Sequence, residues 1–282
     1  MELIFAAATC SVIVSILLKW FKAQNYVPMQ MITANYAIAS LLAYLWFKPD
    51  LAHISVSETP WWLIILLGIA LPSVFLCLSK SLQTAGIVKT EIAQRLAVIL
   101  SLCAAYFLFQ EQFSTLKIIG IVLGLGAIGC ILFSHQQQSE KSTKQGMYAL
   151  LSVWLGYALI DILLKYTSSL GVQFAVSLNL MFFMALILSV VYLLVKKTQW
   201  HAKSLFAGLL LGLFNFANIA FYVKAHILLK DSPAVVFAGM NFMVILLGVI
   251  AGLFIFKEKM KMVTLLGLFL GLGGVICLAL AI

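Results

Sequence analysis

Charge is what this sequence has least of. Only 10% of its 282 residues are Asp, Glu, Lys or Arg, against about 25% in an ordinary soluble domain. The acidic residues number nine, and Arg95 is the single arginine. Four histidines are present (His53, His135, His201, His226), mostly beside expected turns. No G-x-S-x-G, H-E-x-x-H or phosphate-loop pattern occurs. These absences remove the materials of hydrolases, zinc enzymes and nucleotide enzymes. The chain is expected not to be an enzyme and to need neither cofactor nor metal. The five cysteines (Cys10, Cys77, Cys103, Cys130, Cys277) all fall within apolar runs and none forms C-x-x-C. They read as small buried hydrophobes, not as a disulfide framework or zinc site. No basic segment precedes the apolar residues 3–18 and no A-x-A follows them, so no cleavable signal peptide is expected.

What fills the chain instead is apolar. Hydrophobic residues make up 64% and the mean hydropathy is +1.12. No soluble fold hides that much apolar surface, so lipid is the expected solvent. A bilayer crossing needs about 20 apolar residues. Ten such runs recur, at 2–20, 29–47, 61–82, 84–109, 115–134, 147–168, 172–195, 203–228, 232–256 and 260–281. The fold class is therefore an all-α polytopic membrane protein with ten transmembrane helices. Ser232-Pro233 has the form of a helix start, Ser as cap and Pro at the first helical position. The net charge of +9 is not a nucleic-acid footprint. The lysines sit mostly between apolar runs, where they reach headgroups, and no basic stripe carries interleaved aromatics. The expected partners are the lipid bilayer and a small molecule, with no nucleic acid.

One passage occurs twice. Residues 109–130 read FQEQFSTLKIIGIVLGLGAIGC and residues 256–277 read FKEKMKMVTLLGLFLGLGGVIC, an offset of 147. Ser15 to Trp20 resembles Asp161 to Tyr166, and Lys80, Gly68 and Asn35 match Lys224, Gly212 and Asn179. The chain divides into a first five-helix repeat (1–134), a polar linker (135–146, HQQQSEKSTKQG) and a second repeat (147–282). Five crossings per repeat invert the second copy in the membrane. Inverted repeats of this kind suit alternating access.

The Glu-bearing turn and Gly-rich last helix of each half carry a resemblance. Glu111, Leu116, Ile119 and Gly120, repeated as Glu258, Val263, Leu266 and Gly267, resemble the EamA-type members of the drug/metabolite transporter superfamily. The resemblance implies ten helices around a central cavity, lined mainly by the first, third, fourth, sixth, eighth and ninth. The fifth and tenth would be peripheral. It also implies export of amino acids or other metabolites from a bacterial cytoplasmic (inner) membrane. Two features depart from the family pattern. Prolines common in its fourth and ninth helices are missing here, and Lys80 stands where an aromatic or small residue is usual.

Ionisable groups cost about 2.5–3.5 kcal/mol at a membrane helix centre, which makes them the first candidates for a site. Lys80 and Lys224 are pseudo-symmetric cations, either cavity groups or lysines reaching an interface. Arg95 lies well inside its run and cannot easily lose its proton. Glu91, four residues earlier, offers it an ion pair along one helix face. Gln94 corresponds to Asn241. Asp161 is a candidate proton site or a partner of Lys165. Asn35, Asn179, Asn215 and Asn218 add amides that bond either cargo or a neighbouring helix. The G-x-x-x-G faces of the fifth and tenth spans read as packing surfaces, within a half or in a homodimer. The leading reading is a secondary transporter moving a small polar metabolite, an amino acid or related zwitterion or anion, by alternating access. A lipid-linked carrier or flippase on the same fold, and a non-transporting scaffold, are the alternatives.

Orientation sets two expectations against each other. The family has a cytoplasmic N-terminus. That would place Lys19, Lys22, Lys80, Lys89, Lys141, Lys144, Lys196, Lys197, Lys203, Lys257, Lys259 and Lys261 outside, against Lys48, Lys117, Lys165, Lys224 and Lys230 inside, which is 12 to 5. The positive-inside rule demands the reverse, and the charge count is favoured. A C-terminal reporter fusion is expected to be active only on the non-cytoplasmic side. Activity confined to the cytoplasm would reverse the assignment.

Overall fold

The computed structural model describes residues 1–51, 59–109, 113–136 and 140–281. His53, Glu111 and the linker residues 137–139 lie outside them. Long apolar runs become helices because only a helix satisfies its own backbone polar groups in lipid. In chain order these are α1 (Glu2–Ala23), α2 (Pro28–Phe47), α3 (Trp61–Thr84), α4 (Ile87–Arg95), α5 (Ala97–Phe109), α6 (Thr115–Gln136), α7 (Glu140–Ser169), α8 (Phe174–Val195), α9 (Ala202–Leu228), α10 (Pro233–Ile250) and α11 (Met262–Leu280). A π-helical turn, Ala251–Ile255, extends α10. No strand occurs among the described residues.

Among the described residues, eight helices are long and apolar enough to cross a bilayer: α1, α3, α6, α7, α8, α9, α10 with its π turn, and α11. The other two expected spans differ for physical reasons. α2 has 20 residues, but Gln30, Thr33 and Asn35 dilute its apolar run. The expected continuous helix over 84–109 is broken, since α4 has nine residues and α5 thirteen. The break falls at Leu96, where no proline is present. Within the expected linker 135–146, α6 continues to Gln136 and α7 begins at Glu140. One further expectation is corrected. Ser232 does occupy the position before Pro233, yet its side chain makes no capping hydrogen bond.

The outer surface is apolar. Phe5, Leu45, Ile69, Phe107, Phe206, Phe254 and Phe269 are all exposed. Trp20, Trp46, Trp62 and Trp200 are exposed at or beside helix ends, where indoles favour the membrane–water boundary. This is an integral, multi-pass membrane protein.

Inside, α1 packs on α9 and α10, α2 on α8 and α9, α3 on α7 and α8, and α5 on α7. α6 and α11 pack closely on one another. The duplicated glycines account for that last pairing. A Cβ on Gly120 would lie 3.1 Å from the Gly274 carbonyl oxygen, and one on Gly274 would lie 3.0 Å from that of Gly120. The two backbones touch, as small residues permit. These glycines thus join α6 to α11. The same device seats α9 on α2, where a Cβ on Gly208 would stand 2.2 Å from the Met31 carbonyl oxygen.

Gly208→Ala is therefore expected to destabilise by about 1–3 kcal/mol through overpacking. Gly129→Ala, where a Cβ meets nothing within 4 Å, is expected to leave stability unchanged. Thermal unfolding in detergent should show a lowered Tm for the first and none for the second.

Candidate functional site

The helices enclose a cavity of about 770 Å³. Its wall comes from α1, α2, α3, α4, α5, α7, α8, α9 and α10, and contains no residue of α6 or α11. On one side the lining reaches helix ends: Phe174 opens α8, Ile227 nearly closes α9 and Phe237 lies in the first turns of α10. In the other direction it stops early. Ser15 is the last contributor from α1, which continues to Ala23, and nothing of α4 before Gln94 takes part. The cavity is therefore a vestibule with a mouth at the 170–173 and 229–232 turns and a floor at α1 and α4.

The polar groups are few and distinct. Arg95 is on the floor, and its Nη2 donates to Ser11 Oγ at 2.7 Å. Asp161, on α7, lines the cavity and its Oδ2 accepts from Ser101 Oγ at 3.3 Å. Gln94, Asn215, Asn218 and Asn241 supply amides. The Asn218 Oδ1 is buried without a protein partner. Between them the wall is aromatic: Tyr36, Phe75, Tyr157, Phe182, Tyr222 and Phe237. One fixed cation, one carboxylate, several amides and broad aromatic surface can hold an amphipathic zwitterion. A pocket of this make-up is an ordinary binding site for a small molecule. Among the described residues no three of His, Cys, Asp and Glu come together in a metal-binding group.

Of the residues expected from sequence, Gln94, Arg95, Asp161, Asn215 and Asn241 line the cavity. Five are elsewhere. Lys80 and Lys224 are exposed and outside the lining, as flexible cations near helix ends prefer. Asn35 is fully buried between helices, and its Oδ1 accepts from Asn215 Nδ2 at 3.2 Å. Asn179 Nδ2 donates to the Ser40 carbonyl at 3.0 Å, tying α8 to α2. Glu91 is 1% exposed and lies below the floor. The expected Glu91–Arg95 bond is not formed. Glu91 accepts from Ser15 Oγ while Arg95 turns to Ser11, so both bonds tie α4 to α1.

Sequence reasoning missed several contributors. The tyrosines were invisible because cavity aromatics and core aromatics look alike in an apolar run. Trp154 was missed too. Its indole Nε1 donates to the Leu96 carbonyl at 3.0 Å, at the α4–α5 break that sets down Arg95. Lys19 entered the sequence reading only through the orientation count, and Glu258 only through the repeat. The two form a salt bridge.

These features carry a signature that comparison confirms. A profile of the EamA-like transporter family matches residues 2–133. A protein of Haemophilus influenzae, itself described as uncharacterized, is 40% identical over 284 residues, covering 98% of this chain and 97% of its own. The chain belongs to the EamA-like transporter family. A protein of known crystal structure shares the fold at a TM-score of 0.62 and 13% identity, with 98% of each chain covered. The family consists of membrane transporters, which agrees with a chain that encloses a cavity.

In a cysteine-free background, Asn215→Cys is expected to react readily with a hydrophilic thiol reagent. Ala39→Cys, at a fully buried position, should stay unreactive. Equal protection of both would mean that the cavity is dry.

Proposed function

We propose that this EamA-like transporter is a secondary carrier that exports an amino acid or related zwitterion from a bacterial inner membrane by alternating access. The observation that carries this reading is the pair Arg95 and Asp161, opposite charges lining one cavity together with aromatic side chains. The cargo carboxylate would meet Arg95, the ammonium would face Asp161, and the amides of Gln94, Asn215, Asn218 and Asn241 would take remaining polar groups. The aromatic wall favours an apolar side chain. An arginine suits this task because its charge is permanent and its fork matches a carboxylate.

The mechanism on this proposal uses ten membrane segments in two inverted repeats. On this reading α2 and the α4–α5 pair complete the eight clear spans. The packing partnerships are consistent with a two-fold relation between halves. α1 packs on α9 as α7 packs on α3, α2 on α9 as α8 on α3, and α1 on α10 as α7 on α5, while α2–α8 and α6–α11 are self-matched. The charge count then opens the vestibule away from the cytoplasm, the state that follows release of an exported cargo.

Arg95→Ala and Asp161→Asn should each weaken amino-acid binding about 30-fold or more, the cost of truncating one partner of a desolvated charge pair. Lys80→Ala should match the parent. Thermal shift against a panel of the standard amino acids, followed by counterflow in vesicles, measures this. Parental binding by both site variants would sink the proposal.

A further inference from the structure

Below the vestibule floor, α1 and α4 are joined by three polar rungs. Ser11, Ser15 and Lys19 stand at four-residue intervals, so they form one stripe along α1. Arg95 Nη2 donates to Ser11 Oγ at 2.7 Å. One turn further, Ser15 Oγ donates to Glu91 Oε1. At the next turn Lys19 Nζ donates to Glu258 Oε1. Glu258 also accepts from the α4 backbone, from Ile87 N at 2.7 Å and Val88 N at 3.3 Å. The third rung thus joins α1, the start of α4 and the turn after α10. The Lys19 ammonium lies 4.3 Å from the Phe256 ring centroid as well. Thr90 ties the same stretch to α3 through Ser81 at 2.8 Å.

Two atoms of the inner rungs are buried without partners, Glu91 Oε2 and Arg95 Nε. Unpaired buried polar atoms are costly, and water would satisfy both. The seam is therefore held by few bonds and carries a built-in reward for opening. We propose that the Ser11–Ser15–Lys19 stripe is the closing seam of the transporter on the side opposite the vestibule mouth. Lys19–Glu258 is its outermost latch, and separation of α1 from α4 along the stripe gives the cavity its second exit. This rests on the alternating-access reading but not on the identity of the cargo. Arg95 belongs to both structures, so a carboxylate in the cavity competes with Ser11 for its guanidinium.

The test needs no substrate. In a cysteine-free full-length chain reconstituted in vesicles, Leu18→Cys on α1 and Val88→Cys on α4 serve as separate reporters, both positions being buried. Ala220→Cys, buried in α9 away from the seam, serves as control. Lys19→Met should raise the reaction of both reporters with a membrane-impermeant thiol reagent about tenfold or more, a half-buried ion pair having lost one partner. Lys19→Arg should restore protection, and the control should stay unreactive throughout. Protection of both reporters in Lys19→Met and in Ser15→Ala/Lys19→Met overturns the proposal. So does equal exposure of the control, because the change would then be general loosening. Loss of amino-acid binding alone would count against the cargo and leave the seam standing.

Discussion

One carboxylate organises the floor of this protein. Glu258 accepts two backbone N–H groups at the start of α4 and the ammonium of Lys19. A helix N-terminus carries partial positive charge and unpaired donors, so the carboxylate is anchored twice. Gly86 permits the approach. Its φ is +91°, and a Cβ there would stand 2.7 Å from Glu258 Oε2. With its start fixed from another part of the chain, α4 runs only nine residues before Leu96 interrupts it. Trp154 satisfies the carbonyl at that point. Arg95, the last residue of α4, then lies beside the vestibule, where the negative end of a helix favours its charge. The placement of the cavity cation follows from an anion at the other end of the same short helix.

Much of the fold was legible because lipid imposes a simple code. Apolar runs of bilayer length had to become helices, and polar breaks had to become turns. What failed were places where local pattern and tertiary demand conflict. Residues 84–109 have the composition of one continuous helix, yet the Leu96 carbonyl is bonded by an indole from α7, a partner far away in sequence. Asn35 and Asn179 look like Asn215 in composition, but the first two serve helix contacts and the third lines the cavity. No helical period separates them, because both faces of a central helix are buried.

The site was half legible for a related reason. Arg95 and Asp161 announced themselves by the cost of charge in a membrane. Lys80 and Lys224 announced themselves equally, yet both are exposed and neither lines the cavity. The Ser11, Ser15 and Lys19 stripe was readable as a period of four. Its meaning was not, since serine in a membrane helix commonly bonds its own backbone, as Thr9 and Ser73 do.

The glycine contact between α6 and α11 has a further consequence. Where Gly120, Gly267 and Gly274 meet the opposite helix, the backbones come into contact, and Leu278, Cys130 and Ile131 fill the notches left by the missing side chains. Such a joint holds two rods at a close, fixed spacing. It lies outside the cavity wall and joins one half of the chain to the other. In mechanical language it is a clamp, and it ties the early part of the chain to the late part without using any residue of the cavity wall.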